Sequence, residues 1–118
     1  MQAAPGPDRG WRRRDPAVNV VNAISKVRFA SAKPQRVLLS KGHGLVAALL
    51  CLEAGQETVG EKGRWSYYVM AGVAEIKADA KAATLSAGQL AAADPGERIA
   101  ISNTGEGRLI VLAVGRPS

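Results

Sequence analysis

From Gln35 onward the chain is a succession of short apolar runs, each closed by residues that turn the backbone. The runs cover residues 36–40, Leu45–Leu52, 65–70, Val73–Ala78, 84–85, 89–93, 98–102 and 109–114. Between them stand Lys41-Gly42-His43-Gly44, Ala54-Gly55, a turn near Asp79, Asp94-Pro95-Gly96 and the stretch from Thr104 to Gly107. Glycine reaches positive φ without steric cost, and Asp-Pro-Gly halts a strand, so each cluster ends one run and starts another. Eight or nine short strands with regular turn signals predict an all-β sandwich or barrel. The absence of long helical periodicity argues against a parallel α/β fold.

With 118 residues the chain has room for one hydrophobic core. Hydrophobic residues make up 47% but aromatics only 4%, and alanine fills many strand positions. That composition predicts a core of small side chains, less apolar area buried per residue, and a face that a partner would complete.

The formal net charge of +6 is concentrated in the leader. Residues 1–41 carry nine basic and two acidic groups, and residues 42–118 carry seven basic and eight acidic ones. Residues 1–16, with Pro5, Gly6, Pro7 and Gly10 among charges, are expected to form a flexible basic N-terminal tail. An arginine cluster such as Arg12, Arg13 and Arg14 attracts nucleic acid or another polyanion, but a solvated end is the commoner meaning of such a run, and it is favoured here. Asp15-Pro16 is a plausible helix start, and Val20, Val21, Ile24 and Val27 recur at helical spacing, although β-branched residues fit an edge strand equally well.

Cys51 is the only cysteine, which excludes an internal disulfide and points to a reducing compartment. Set within Leu49-Leu50-Cys51-Leu52, it reads as buried packing. No apolar run approaches the ~20 residues of a membrane span. The arginines before Pro16 imitate the start of a signal peptide, but Asn19, Asn22, Ser25 and Lys26 interrupt the apolar region that should follow. A cytoplasmic location without membrane attachment is expected.

Several segments taken together resemble the small single-domain cupins, whose fold is a double-stranded β-helix, the RmlC-like jelly-roll barrel. They are Lys26-Val27-Arg28-Phe29, Lys33-Pro34-Gln35, the run from Cys51 to Glu57, the run from Tyr68 to Gly72, Leu85 to Gly88, Pro95-Gly96-Glu97, Asn103-Thr104-Gly105 and the closing apolar strand. The resemblance spans residues 26–116 and implies a cupin domain over residues 17–118 behind a short N-terminal extension.

The resemblance also implies a metal site, and here the residues depart from it. The family pattern places two histidines after the first glycine, a glutamate before the second, and a third histidine in the later motif. Counted from Gly55 and Gly72, the first three places hold Glu61, Gly63 and Trp65; counted from Gly96 and Asn103, the fourth holds Ile99. The loop from Gly55 to Gly72 is also shorter than the pattern implies. One carboxylate does not hold a transition metal tightly, so no cofactor is expected; the alternative is a divalent metal on non-standard ligands.

Strand alternation sets Trp65, Tyr67 and Val69 on one face and Ser66, Tyr68 and Met70 on the other. If the glutamate place faces inward, Trp65 and Ile99 fill the old site with hydrocarbon. An inward Tyr67 hydroxyl needs a partner, either a ligand or the backbone. Glu57, Glu61, Lys62 and Arg64 crowd the shortened loop, as a charged barrel mouth or as an ordinary exposed loop. His43 is the sole histidine, in a glycine-flanked turn, and reads as solvated.

Two functions are compatible with this pattern. The first is a metal-free, non-catalytic cupin that binds a small molecule or another protein, a homodimer as the resemblance implies, with Glu61, Arg64, Trp65, Tyr67 and Ile99 at the barrel interior or mouth. The second is a cupin enzyme of isomerase, lyase or dioxygenase type with an atypical site. In a metal-independent version Tyr67, Glu61 and Arg64 would serve as acid, base and anion clamp.

Overall fold

The computed structural model describes residues 18–79 and 81–118. Among the described residues nine strands follow one another: β1 Gln35–Gly42, β2 Leu45–Leu52, β3 Glu57–Val59, β4 Gly63–Ala71, β5 Val73–Ala78, β6 Lys81–Ser86, β7 Leu90–Ala93, β8 Ile99–Asn103 and β9 Leu109–Pro117. Most of their bounds fall within two residues of the apolar runs, while β6 begins and β9 ends three residues beyond them. The short β3 was not legible, because Glu57-Thr58-Val59 offers only one apolar residue and pairs solely with β8.

The strands form two antiparallel sheets, ordered β1-β2-β9-β4-β7 and β3-β8-β5-β6. Their inner faces meet in one core that includes Leu50, Leu52, Trp65, Tyr67, Val69, Ile76, Leu85, Ile99, Ile101, Leu109 and Val111. The chain crosses between sheets at Gly72, whose φ of +91° suits glycine and where a Cβ would stand 2.5 Å from the Arg108 carbonyl oxygen. His43 and Gly44 form the two-residue loop of the β1–β2 hairpin, both at positive φ, the turn that matches strand twist. Asn103 is the buried polar residue of the frame. Its amide donates to the carbonyls of Leu52 and Gly107, and its side-chain oxygen accepts from the Gly105 N–H, so one side chain ties β2, β8 and the loop before β9.

The outer face of the five-stranded sheet carries Leu45, Leu90 and Val114 exposed beside Arg64 and Arg116, while Leu49 and Cys51 on it are fully buried. The Gln56 amide donates to the Ala30 and Ser31 carbonyls, and the Arg108 guanidinium lies 4.5 Å from the Phe29 ring centroid while pairing with Glu53 at 3.1 Å. These contacts hold the residues before β1 against the body of the domain.

Of the short helix or edge strand expected from Asp15-Pro16 to Val27, the described residues form only a single 3-10 turn, Ile24–Lys26. Val18, Val20 and Ile24 are exposed, so the spacing of apolar residues finds no surface to pack on. A short helix without a packed face is marginal in water. The basic tail with Arg12, Arg13 and Arg14 lies outside the described residues.

Candidate functional site

β4 alternates as its pleat requires. Trp65, Tyr67 and Val69 are buried, while Arg64 on the opposite face is exposed. Ile99, at the start of β8, comes from the facing sheet and is 5% exposed. The Trp65 indole N–H donates to the Lys62 carbonyl at 3.0 Å, so the polar edge of the ring is satisfied within its own loop. The Tyr67 hydroxyl accepts the Glu61 backbone N–H at 3.3 Å, and its own proton has no acceptor among the described residues. Burial pushes the Tyr67 phenol above its ordinary value, an effect only partly offset by that N–H.

Gly60 closes this cluster. Its N–H donates to the Ile99 carbonyl at 2.7 Å, and a Cβ on it would lie 2.8 Å from both the Tyr67 hydroxyl and Ile99 Cβ. Only a residue without a side chain lets β3 run this close to Tyr67 and Ile99.

The four positions that the resemblance assigns to metal ligands do not form a donor set. Trp65 and Ile99 offer hydrocarbon, and Gly63 has no side chain. The Glu61 carboxylate is engaged by the Arg36 guanidinium from β1. Gly63 sits at φ +121°, where a Cβ would collide with the Arg116 carbonyl oxygen and meet Pro117 Cα at 2.8 Å. Among the described residues no three His, Cys, Asp or Glu side chains gather where a metal could sit. These residues do not fit a metal ion.

Beside the filled position the barrel is open. A cavity of about 290 Å³ lies between the edge strands β6 and β7, lined by Tyr67, Ile76, Ile99, a group of alanines, Lys81 and Glu97. The register explains the lining: Ala93 pairs with Trp65 and Ala91 with Tyr67 on one sheet, while Ala83 pairs with Ile76 and Lys81 with Ala78 on the other. Where larger side chains would close the space between the sheets, alanine leaves it vacant. A second cavity of about 600 Å³ forms the adjoining mouth, from Glu61 and Lys62 across Gly96, Glu97 and Arg98 to Ile99. A third, of about 60 Å³, lies by the Arg36–Glu61 pair, the Tyr67 side chain and Gly60.

Of the five residues singled out in the sequence, Glu61, Trp65, Tyr67 and Ile99 come together, and Arg64 stands apart on the outer side of β4. Arg36, Lys81 and the cleft alanines were not anticipated. The signal for the alanines was present, because Ala91 and Ala93 share the parity of an inward face. Nothing marked Arg36 as the partner of Glu61, 25 residues away in sequence. His43 lies exposed in its turn at the far end of the hairpin, beside a separate surface hollow. Cys51 is fully buried; desolvation raises its thiol above the ordinary value, outweighing a hydrogen bond with the Arg28 backbone that lowers it.

No protein-family model matches the sequence, and no curated protein matches it. Solved structures do match. A protein with a double-stranded β-helix domain from Klebsiella pneumoniae is 25% identical, with a TM-score of 0.76 over 85% of this chain and 90% of that one. A cupin superfamily protein from Desulfitobacterium hafniense is 18% identical, with a TM-score of 0.71 over 87% and 94% of the two chains. An RmlC-like cupin from Desulfovibrio desulfuricans is 17% identical, with a TM-score of 0.72 over 86% and 99%. Two antiparallel sheets enclosing one core, matched to these structures over most of both chains, give this chain the double-stranded β-helix fold that the sequence resemblance implied.

Proposed function

We propose that this cupin domain is a metal-free, non-catalytic binding module that takes a small molecule at the open end of its barrel. The observation that carries the reading is the pairing of a filled metal position with an open cleft beside it. Trp65 and Ile99 occupy the position with hydrocarbon, and the alanine-walled cavity of about 290 Å³ lies next to them. Transferring a charged metal into such surroundings without imidazole or carboxylate ligands is strongly unfavourable. A concave apolar site with a few polar groups at its rim is the usual form of a small-molecule pocket.

The enzymatic alternative draws less support. Its acid, base and anion clamp would be Tyr67, Glu61 and Arg64, but the Glu61 carboxylate is paired with Arg36 and Arg64 lies on the outer face of β4. The outer face of the five-stranded sheet, with Leu45, Leu90 and Val114 exposed, supports a homodimer that covers it. Cys51 as an unpaired buried thiol supports a reducing, cytoplasmic setting. No helix among the described residues is long and apolar enough to cross a membrane.

The reading is tested by elemental analysis of protein purified without a histidine tag, which should find no stoichiometric transition metal. Iron, manganese, nickel or zinc at one equivalent per chain would overturn it.

A further inference from the structure

The cleft between β6 and β7 has a chemical character that narrows what it would hold. Its walls are hydrocarbon: Ala83 on β6, Ala91 and Ala93 on β7, and Ile76 and Ile99 beneath. A dry cavity near 150 Å³ accepts benzene, so about 290 Å³ has room for a six-membered ring with a short side chain.

Two charged residues line the cleft, and they are not equivalent. Glu97 is committed to its own turn: its carboxylate accepts the Asp94 N–H at 3.2 Å while its backbone N–H donates to the Asp94 carbonyl. Lys81 makes no ion pair and no side-chain hydrogen bond among the described residues. It pairs across the strands with Ala78, which in turn pairs with Ile99, so the three cross the inner face in one row. Lys62 and Arg98 at the adjoining mouth add positive charge, while the carboxylate of Glu61 there is already paired with Arg36. The cleft is thus an apolar slot with an excess of cations at its rim.

We propose that the cleft binds a small monocarboxylate with an apolar body, its hydrocarbon against Ala83, Ala91, Ala93 and Ile99 and its carboxylate at Lys81. This rests on the binding-module reading above and specifies its ligand class.

The test uses the full chain and three probes of one shape: 3-phenylpropionate, its neutral amide, and 3-phenylpropylamine. Binding is followed through the methyl resonances of Ala83, Ala91 and Ala93. The acid should bind most tightly, and Lys81→Met should weaken it about twofold to fivefold, as for a partly solvated ion pair, while leaving the amide unchanged. Lys81→Glu should move the preference to the amine. Ala83→Leu, a change at an exposed edge-strand position that leaves the core intact, should block all three. Equal binding of acid and amide, unaltered by either Lys81 variant, would overturn the carboxylate assignment while the pocket stood. If none of the probes shifts the cleft methyl groups, both the assignment and the binding reading beneath it fail.

Discussion

Gly60 offers the sharpest test of how tightly the position that the resemblance assigns to a metal is packed. In Gly60→Ala the new methyl would stand 2.8 Å from Ile99 Cβ, 2.8 Å from the Tyr67 hydroxyl and 3.1 Å from Ile99 Cγ2. None of these atoms can retreat cheaply. Ile99 Cβ is bonded to the strand backbone, and the hydroxyl ends a rigid ring that is 1% exposed. The hydrogen bond from the Gly60 N–H to the Ile99 carbonyl, at 2.7 Å, ties the two backbones together. Overpacking of this kind costs about 1–3 kcal/mol. Replacing glycine also restricts the unfolded chain, which offsets about 0.4–1 kcal/mol. The midpoints of the two ranges leave a net loss of about 1.3 kcal/mol, which should lower the melting temperature by about 4–8 °C for a domain of this size. Urea and thermal unfolding followed by circular dichroism would measure it. Gly107→Ala is the control: nothing lies within 4 Å of its Cβ and its φ is not positive, so it should be neutral or slightly stabilising. Combining Gly60→Ala with Tyr67→Phe removes one of the clashing atoms, and the double variant should lose less than the sum of the two by at least about 0.5 kcal/mol. A Gly60→Ala protein as stable as the parent would refute the packed-site argument.

Installing the ligands that the resemblance implies, with Glu61→His, Gly63→His, Trp65→Glu and Ile99→His, should yield well under one equivalent of metal by elemental analysis, because a side chain at position 63 meets the backbone of Arg116 and Pro117; stoichiometric uptake would show that the loop can form a site. Tyr67 and Cys51 are both neutral when protonated, and burial raises both above their ordinary values of 10.0 and 9.0. Their contribution to stability is therefore complete below those values and is lost as pH rises through the higher folded-state values. Urea midpoints should fall as pH is raised past about 9–10, and less steeply in a Tyr67→Phe, Cys51→Ala variant; identical slopes would contradict this. Light scattering should give a mass near twice that of one chain, and Leu45→Lys with Val114→Lys on the exposed outer face should shift it toward one; a parent protein that stays monomeric at high micromolar concentration would remove the dimer.

How much of the site was legible depends on whether its cause was local. Strand alternation put Trp65 and Tyr67 on one face, the resemblance implied that this face points inward, and both side chains are buried. The Tyr67 hydroxyl was left between ligand and backbone, because its partner, the Glu61 N–H, depends on how the loop folds back over the barrel end. Arg64 was grouped with the mouth by its neighbours in sequence, yet one step along a pleated strand reverses the face. The Arg36–Glu61 pair and the cleft between β6 and β7 join residues from different hairpins, and no periodicity within one segment encodes them.

The sequence by itself determined all the strands but β3, their turns and which residues stand at the four ligand places that the resemblance implies, since pleat, glycine conformation and residue type are properties of single residues and their immediate neighbours. Only the tertiary structure decided that Trp65 and Ile99 pack together over Gly60 while a cleft stays open between β6 and β7. Whether small side chains leave a void depends on how far apart two sheets are held, and that spacing is set by the largest residues elsewhere in the core.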